Sequence, residues 1–132
     1  MEKLIFMIDE LSIITIPATE DTPEIIMDSV NFNLRIKGPS FEDPFETFGH
    51  VSKWINSIKF KTNKIVCVFE FSIISSTSNK LLIDVFQQLE DLYKNGKEIL
   101  IKWHYDHFDE DMKEEGESLA NTITFPIEYI AI

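Results

Sequence analysis

Three groups of side chains in this sequence are of types that do chemistry. The first is the hydroxyl run Ser75-Ser76-Thr77-Ser78, followed by Asn79 and Lys80. Hydroxyls at a helix start lie beside backbone N–H groups without intrahelical partners, at the positive end of the helix dipole. Such a place suits a phosphate. Ser and Thr are also preferred helix caps, but a cap needs one hydroxyl and here four occur in succession. The second group is His104 and His107 around Tyr105-Asp106, with Asp109, Glu110 and Asp111 close behind. These are metal-ligand types, yet the carboxylates are consecutive, so a helix or strand turns them in different directions. They suit a solvated helix start instead, where the dipole favours acids. The third combination pairs Ser76 as nucleophile with His104 as base, the outline of a small acidic hydrolase. It lacks the flanking glycines of a nucleophile elbow. No Gly-rich phosphate loop, paired-Cys motif or HExxH helix occurs, and neither a cofactor nor a metal is expected.

The elements that must position the hydroxyl run are a strand, a tight turn and a helix. Ile65 to Phe71 is a run of apolar and β-branched residues and reads as a buried strand. After the hydroxyls, Leu81, Leu82, Val85, Phe86, Leu89, Leu92 and Tyr93 recur at helical spacing. The Ser75–Ser78 turn is expected to be exposed, with Phe69, Phe71, Leu82, Phe86 and Leu89 buried. Lys94-Asn95-Gly96-Lys97 stops the helix. Ile99 to Tyr105 then forms a strand parallel to Ile65–Phe71, through a right-handed crossover.

Upstream, strands are expected over Leu11–Ile16, Glu24–Asp28 and Asn31–Lys37, with a turn-rich link at Pro17–Pro23 and a hairpin turn at Ser29-Val30. Gly38 to Pro44 should end the third strand, and Asp43 and Pro44 should start a helix. Its apolar stripe is Phe45, Phe48, Val51, Trp54, Ile55 and Ile58, aromatics that read as core. Downstream, Asp106 to Asn121 reads as an acidic helix whose apolar residues are Phe108, Met112, Leu119 and Ala120. A final strand, Thr124 to Ile130, contains Pro126 and belongs at a sheet edge. The pattern predicts one α/β domain, a mixed sheet packed with about three helices. Residues 1–10 read as an N-terminal extension or a first strand, ahead of a domain over 11–132. Their apolar run is too short to span a membrane.

At 132 residues, 44% of them hydrophobic and eleven of them Phe, the chain can bury roughly two-thirds of its unfolded surface. Its formal net charge of −11 repels nucleic-acid phosphates and anionic membrane surfaces, so proteins are the expected partners. Neither nucleic-acid binding nor membrane insertion is expected. The single Cys67 excludes an internal disulfide, fits a cytoplasmic setting, and lies in the buried strand as an inert thiol.

Four segments in order, Ile16-Pro17-Ala18-Thr19-Glu20-Asp21-Thr22-Pro23, Ser76-Thr77-Ser78, Lys80 with Asp84, and Trp103-His104-Tyr105-Asp106, resemble the SiaC family of bacterial regulatory phosphoproteins. The resemblance runs from about Leu11 to the C-terminus. It implies a STAS-like fold, as in anti-sigma-factor antagonists, whose partner switching is an alternative role. It also implies a phosphoacceptor in a hydroxyl turn four residues before a Lys. That count places it on Ser76, with Thr77 as second candidate, because Ser75, Ser76 and Thr77 stand where the family has Asn, Thr and Ser. The partner-binding surface implied is Ser75 to Lys80. The implied partners are a protein kinase, a PP2C-type phosphatase and an effector such as a diguanylate cyclase, bound by the unphosphorylated form. The chain itself is then not an enzyme.

Overall fold

The alternation of Leu34 and Ile36 with Arg35 and Lys37 sets the pattern of the whole sheet, one face apolar and the other mixed. In the computed structural model, which describes residues 12–132, the strands are β1 (Ile13–Ile16), β2 (Glu24–Asp28), β3 (Asn33–Ser40), β4 (Lys64–Ile74), β5 (Glu98–Tyr105) and β6 (Ile127–Ala131). Three helices alternate with the later strands: α1 (Pro44–Ile58), α2 (Ser76–Lys94) and α3 (Glu110–Ala120). The strands lie side by side in chain order. β1, β2 and β3 pair antiparallel, and β3 through β6 pair parallel. The mixed α/β sheet and the parallel β4–β5 pair are therefore as expected. Residues 1–11 lie outside the described residues, and with them the reading of a first strand or extension.

One face of the sheet carries the core. Ile25, Leu34, Cys67, Phe69, Ile101 and Trp103 point to it and join the buried faces of the helices in one cluster. Phe69 packs on Phe86 of α2 and on Trp103, with ring centroids 5.6 and 6.1 Å apart. Burial pushes the Cys67 thiol up to about 12, so it stays protonated and inert. Trp103 also holds α3: its indole N–H donates to the Met112 carbonyl at 3.0 Å. A Cβ on Gly116 would stand 2.6 Å from the Trp103 ring, so only glycine permits this approach. At the far end of α2 the buried Glu90 carboxylate accepts from the Thr124 amide at 2.7 Å and from its hydroxyl, pinning the chain ahead of β6.

Several boundaries differ from the sequence expectation, for identifiable reasons. β3 starts at Asn33 because the turn takes four residues, Ser29 to Phe32. The Asp28 carboxylate accepts from the amides of Val30 and Asn31, and Phe32 takes a left-handed φ of 58°. These bonds, Asn31 foremost, hold the Asp28 carboxyl below its ordinary range. β3 also runs through Gly38 and Pro39 to Ser40, since a bulge at that pair drops one residue from the ladder where proline has no N–H to give. Asp43 occupies the cap position of α1 but makes no side-chain cap bond, having adopted a left-handed conformation. Phe45 is exposed, and Thr47 takes its place in the buried stripe. α3 begins only at Glu110, because Asp109 caps it by accepting from the Met112 amide. That leaves Phe108 in the preceding loop and exposed. Tyr93 is partly exposed against Phe125. Pro126 precedes β6 rather than lying within it, and β6 is the edge strand expected.

Candidate functional site

The hydroxyl run falls where β4 meets α2. β4 continues to Ile74, so the expected turn shrinks to one residue, Ser75, which caps the helix. The Ser75 hydroxyl accepts from the Ser78 amide at 3.1 Å and donates to the Ser78 hydroxyl at 2.8 Å. Ser78 is fully buried, which corrects the expectation of an exposed Ser75–Ser78 stretch. Its hydroxyl donates to the Ser40 carbonyl and accepts from the Ser40 hydroxyl, both at 2.9 Å. The Ser75 amide also donates to the Ser40 carbonyl at 2.9 Å. Helical rotation explains the partition: position three of α2 faces inward and positions one and two face out. Ser75 and Ser78 are thus consumed in a buried network, whereas Ser76 and Thr77 stand exposed.

Beyond them, Asn79 donates to the Glu115 carboxylate of α3 at 2.8 Å, and Lys80 is exposed. The first turn of α2 contains no acid, unlike those of α1, with Glu46, and α3, with Glu110 and Asp111.

One other segment singled out in the sequence abuts this junction. In the Pro17–Pro23 loop, Thr19 ties its own turn, and the Asp21 carbonyl accepts from the amides of Phe41 and Glu42 at 3.0 Å. Phe41 follows Ser40 directly, so the loop abuts the β4–α2 junction. Around it stands a set of exposed apolar side chains: Phe41 at 53%, Phe45 at 73%, Ile73 at 48% and Phe108 at 84%. Phe45 lies with Leu81 and Asp84 of α2 around one depression, and Phe108 with Phe71 and Ser72 around another. Sequence reasoning missed this surround and Ser40. The spacing of Phe45 fits the core stripe although its side chain is exposed, and Ser40 bonds across a separation of 38 residues.

The remaining chemical candidates are not assembled. His104 lies on the helix-free face of the sheet, its ring 3.7 Å from Glu70, whereas Ser76 starts a helix packed on the other face. His107 bonds the Ile132 carbonyl, and Asp109 is a helix cap. Among the described residues no three metal-binding side chains converge.

Fold and site together define a small α/β domain, a mixed sheet backed by helices with two hydroxyls displayed at one helix start. A family model described as SiaC family regulatory phosphoprotein matches residues 16–132, and the chain belongs to that family. It is 27% identical over 118 residues to an uncharacterized protein of Pseudomonas aeruginosa, strain UCBPP-PA14, covering 88% of this chain and 94% of that one. It also resembles apo-SiaC from Pseudomonas aeruginosa, with a TM-score of 0.84, 26% identity, and coverage of 91% of this chain and 99% of that chain. A second structure, of the diguanylate cyclase SiaD in complex with its activator SiaC from the same species, matches with a TM-score of 0.84 and 25% identity, over 90% of this chain and 99% of that chain.

Proposed function

We propose that this protein is a phospho-switched adaptor of the cytoplasm. Ser76 is its principal acceptor and Thr77 the second. A partner kinase adds the phosphate, a PP2C-type phosphatase removes it, and the unphosphorylated form binds and regulates a diguanylate cyclase. The observation that carries the reading is the partition of the hydroxyl run: of four candidates, only Ser76 and Thr77 are displayed to an incoming kinase. The complex in which a related SiaC activates SiaD supports the class of effector. The separation of Ser76 from His104, on opposite faces of the sheet, argues against a hydrolase built on that pair.

The sign of the switch follows from charge and desolvation. Effector docking over this end would cover the exposed Phe41, Phe45, Ile73 and Phe108 together with the start of α2. A phosphate there adds close to two negative charges to a chain already at −11, and these must lose water on docking. A penalty of about 3 kcal/mol weakens binding more than a hundredfold. The test is phosphosite mapping by mass spectrometry after treatment with the kinase, followed by titration of the cyclase with both forms. The expected result is modification at Ser76 and at least a hundredfold weaker binding by the phosphorylated form. Equal or tighter binding overturns the direction of the switch.

A further inference from the structure

Charge is distributed unevenly along this acidic chain. Lys59-Phe60-Lys61-Thr62-Asn63-Lys64 and Lys94-Asn95-Gly96-Lys97 hold five of its twelve cationic residues and no acid. The two stretches are neighbours in space, at the end of the molecule where α1 and α2 finish and β4 and β5 begin. Lys97 Nζ donates to the Thr62 carbonyl, and the Glu98 amide to the Asn63 carbonyl, both at 2.8 Å. Glu98, 3.7 Å from Lys64, and Asp91 still leave this pole net positive. Dipole attraction accounts for a cation at each helix end, Lys59 and Lys94. It does not account for the others, nor for Phe60, which is 87% exposed with the Lys59 ammonium 5.1 Å from its ring centroid. Beside Phe60 a depression of about 580 Å³ opens between the helix ends, lined by Ile55 and Leu92 as well as by Lys59 and Lys97.

The other end of β5 carries the chemical complement of this pole. There Phe108, 84% exposed, is flanked in sequence by Asp106, Asp109, Glu110 and Asp111. Its loop is held in shape: the Asp106 carboxylate accepts from the Phe108 amide, and the Asp109 carboxylate caps α3. We propose that the basic pole of one copy receives the Phe108 loop of a second copy. The Phe108 ring enters the depression beside Phe60, and the carboxylates around it face the lysines of the pole. Loop and pole lie at opposite ends of the strands, so the contact runs head to tail and each pair keeps one free loop and one free pole. The overall charge of −11 opposes approach from a distance, but salt screens it beyond about 8 Å at physiological ionic strength, so the contact is weak and short-ranged. It stands independently of the phosphorylation reading.

The test is sedimentation velocity of the full-length chain at physiological salt, where the average mass is expected to rise with protein concentration. Phe60→Glu and Phe108→Glu should each weaken association at least about tenfold, as the loss of one aromatic anchor does. Both side chains are exposed, so Tm should stay unchanged in either variant. Mixed in equal amounts, the two variants should form a one-to-one dimer and nothing larger. The intact loop of the Phe60→Glu variant then meets the intact pole of the Phe108→Glu variant, and the remaining loop and pole are both disabled. A wild-type chain that stays monomeric at every concentration overturns the proposal. So does a variant that associates as the wild type does, a pair of variants that fail to complement each other, or a mixture that grows past the dimer.

Discussion

The starts of α2 and α3 lie at the same end of the parallel strands and are solved by opposite chemistry. α3 is capped by the Asp109 carboxylate and carries Glu110 and Asp111 in its first turn, so its dipole is met by permanent negative charge. α2 is capped by a neutral hydroxyl and has no acid in its first turn. In a chain at −11, the neutral start is the unusual one. Negative charge is built into one helix start and is absent from the first turn of the other. Phosphate on Ser76 would bring to α2 what α3 already has.

The comparison can be broken at several levels. The largest effect belongs to the packing that holds α2 in place: Phe86→Ala should cost roughly 3–5 kcal/mol in denaturant unfolding, since Phe86 is fully buried against Phe69. A cost below about 1 kcal/mol would show that the helix face is misassigned. For α3 the corresponding change is Gly116→Ala, which drives a Cβ into Trp103 and should cost about 1–3 kcal/mol, with a visible change in tryptophan fluorescence. An unchanged spectrum and stability would mean that α3 moves aside freely.

At the helix starts themselves, Ser78→Ala should cost about 1–3 kcal/mol, because it removes partners from Ser40 and Ser75 in a buried network. Asp109→Ala should cost about 1 kcal/mol as the loss of a cap. Ser76→Ala should stay within about 0.5 kcal/mol, as a surface change does. A Ser76→Ala cost matching that of Ser78→Ala would abolish the distinction between locked and displayed hydroxyls.

The smallest effect lies at the opposite end of the sheet, in the Ser29–Phe32 turn. The carboxyl of Asp28 is held below its ordinary range, so its contribution is fully present above the unfolded value near 3.9 and is lost as pH falls through the lower folded value. Asp28→Asn should therefore reduce the stability difference between neutral and acid pH. An unchanged acid limb of the stability curve would remove Asp28 from the account.

Much of this architecture was readable from periodicity. Period-two alternation in Asn33–Lys37 and helical spacing from Leu82 to Leu92 each report which side of an element is buried, and burial is a property a local pattern must obey. The hydroxyl run and its place at a helix start were legible for the same reason, because strand and helix patterns meet there. What local pattern does not carry is the partner across space. Nothing near Ser78 announces Ser40, and the two look like any pair of polar residues until β3 is laid beside β4 and its last carbonyl reaches the junction. Phe45 and Phe108 follow the same logic in reverse: their types say core, but the helix starts stand at the rim, where no sheet lies beneath to receive them. The sequence alone determined that four hydroxyls would gather at the start of α2. Only the tertiary structure decided which two would be spent on holding it there, because hydrogen-bond satisfaction of a buried group depends on what is packed against it.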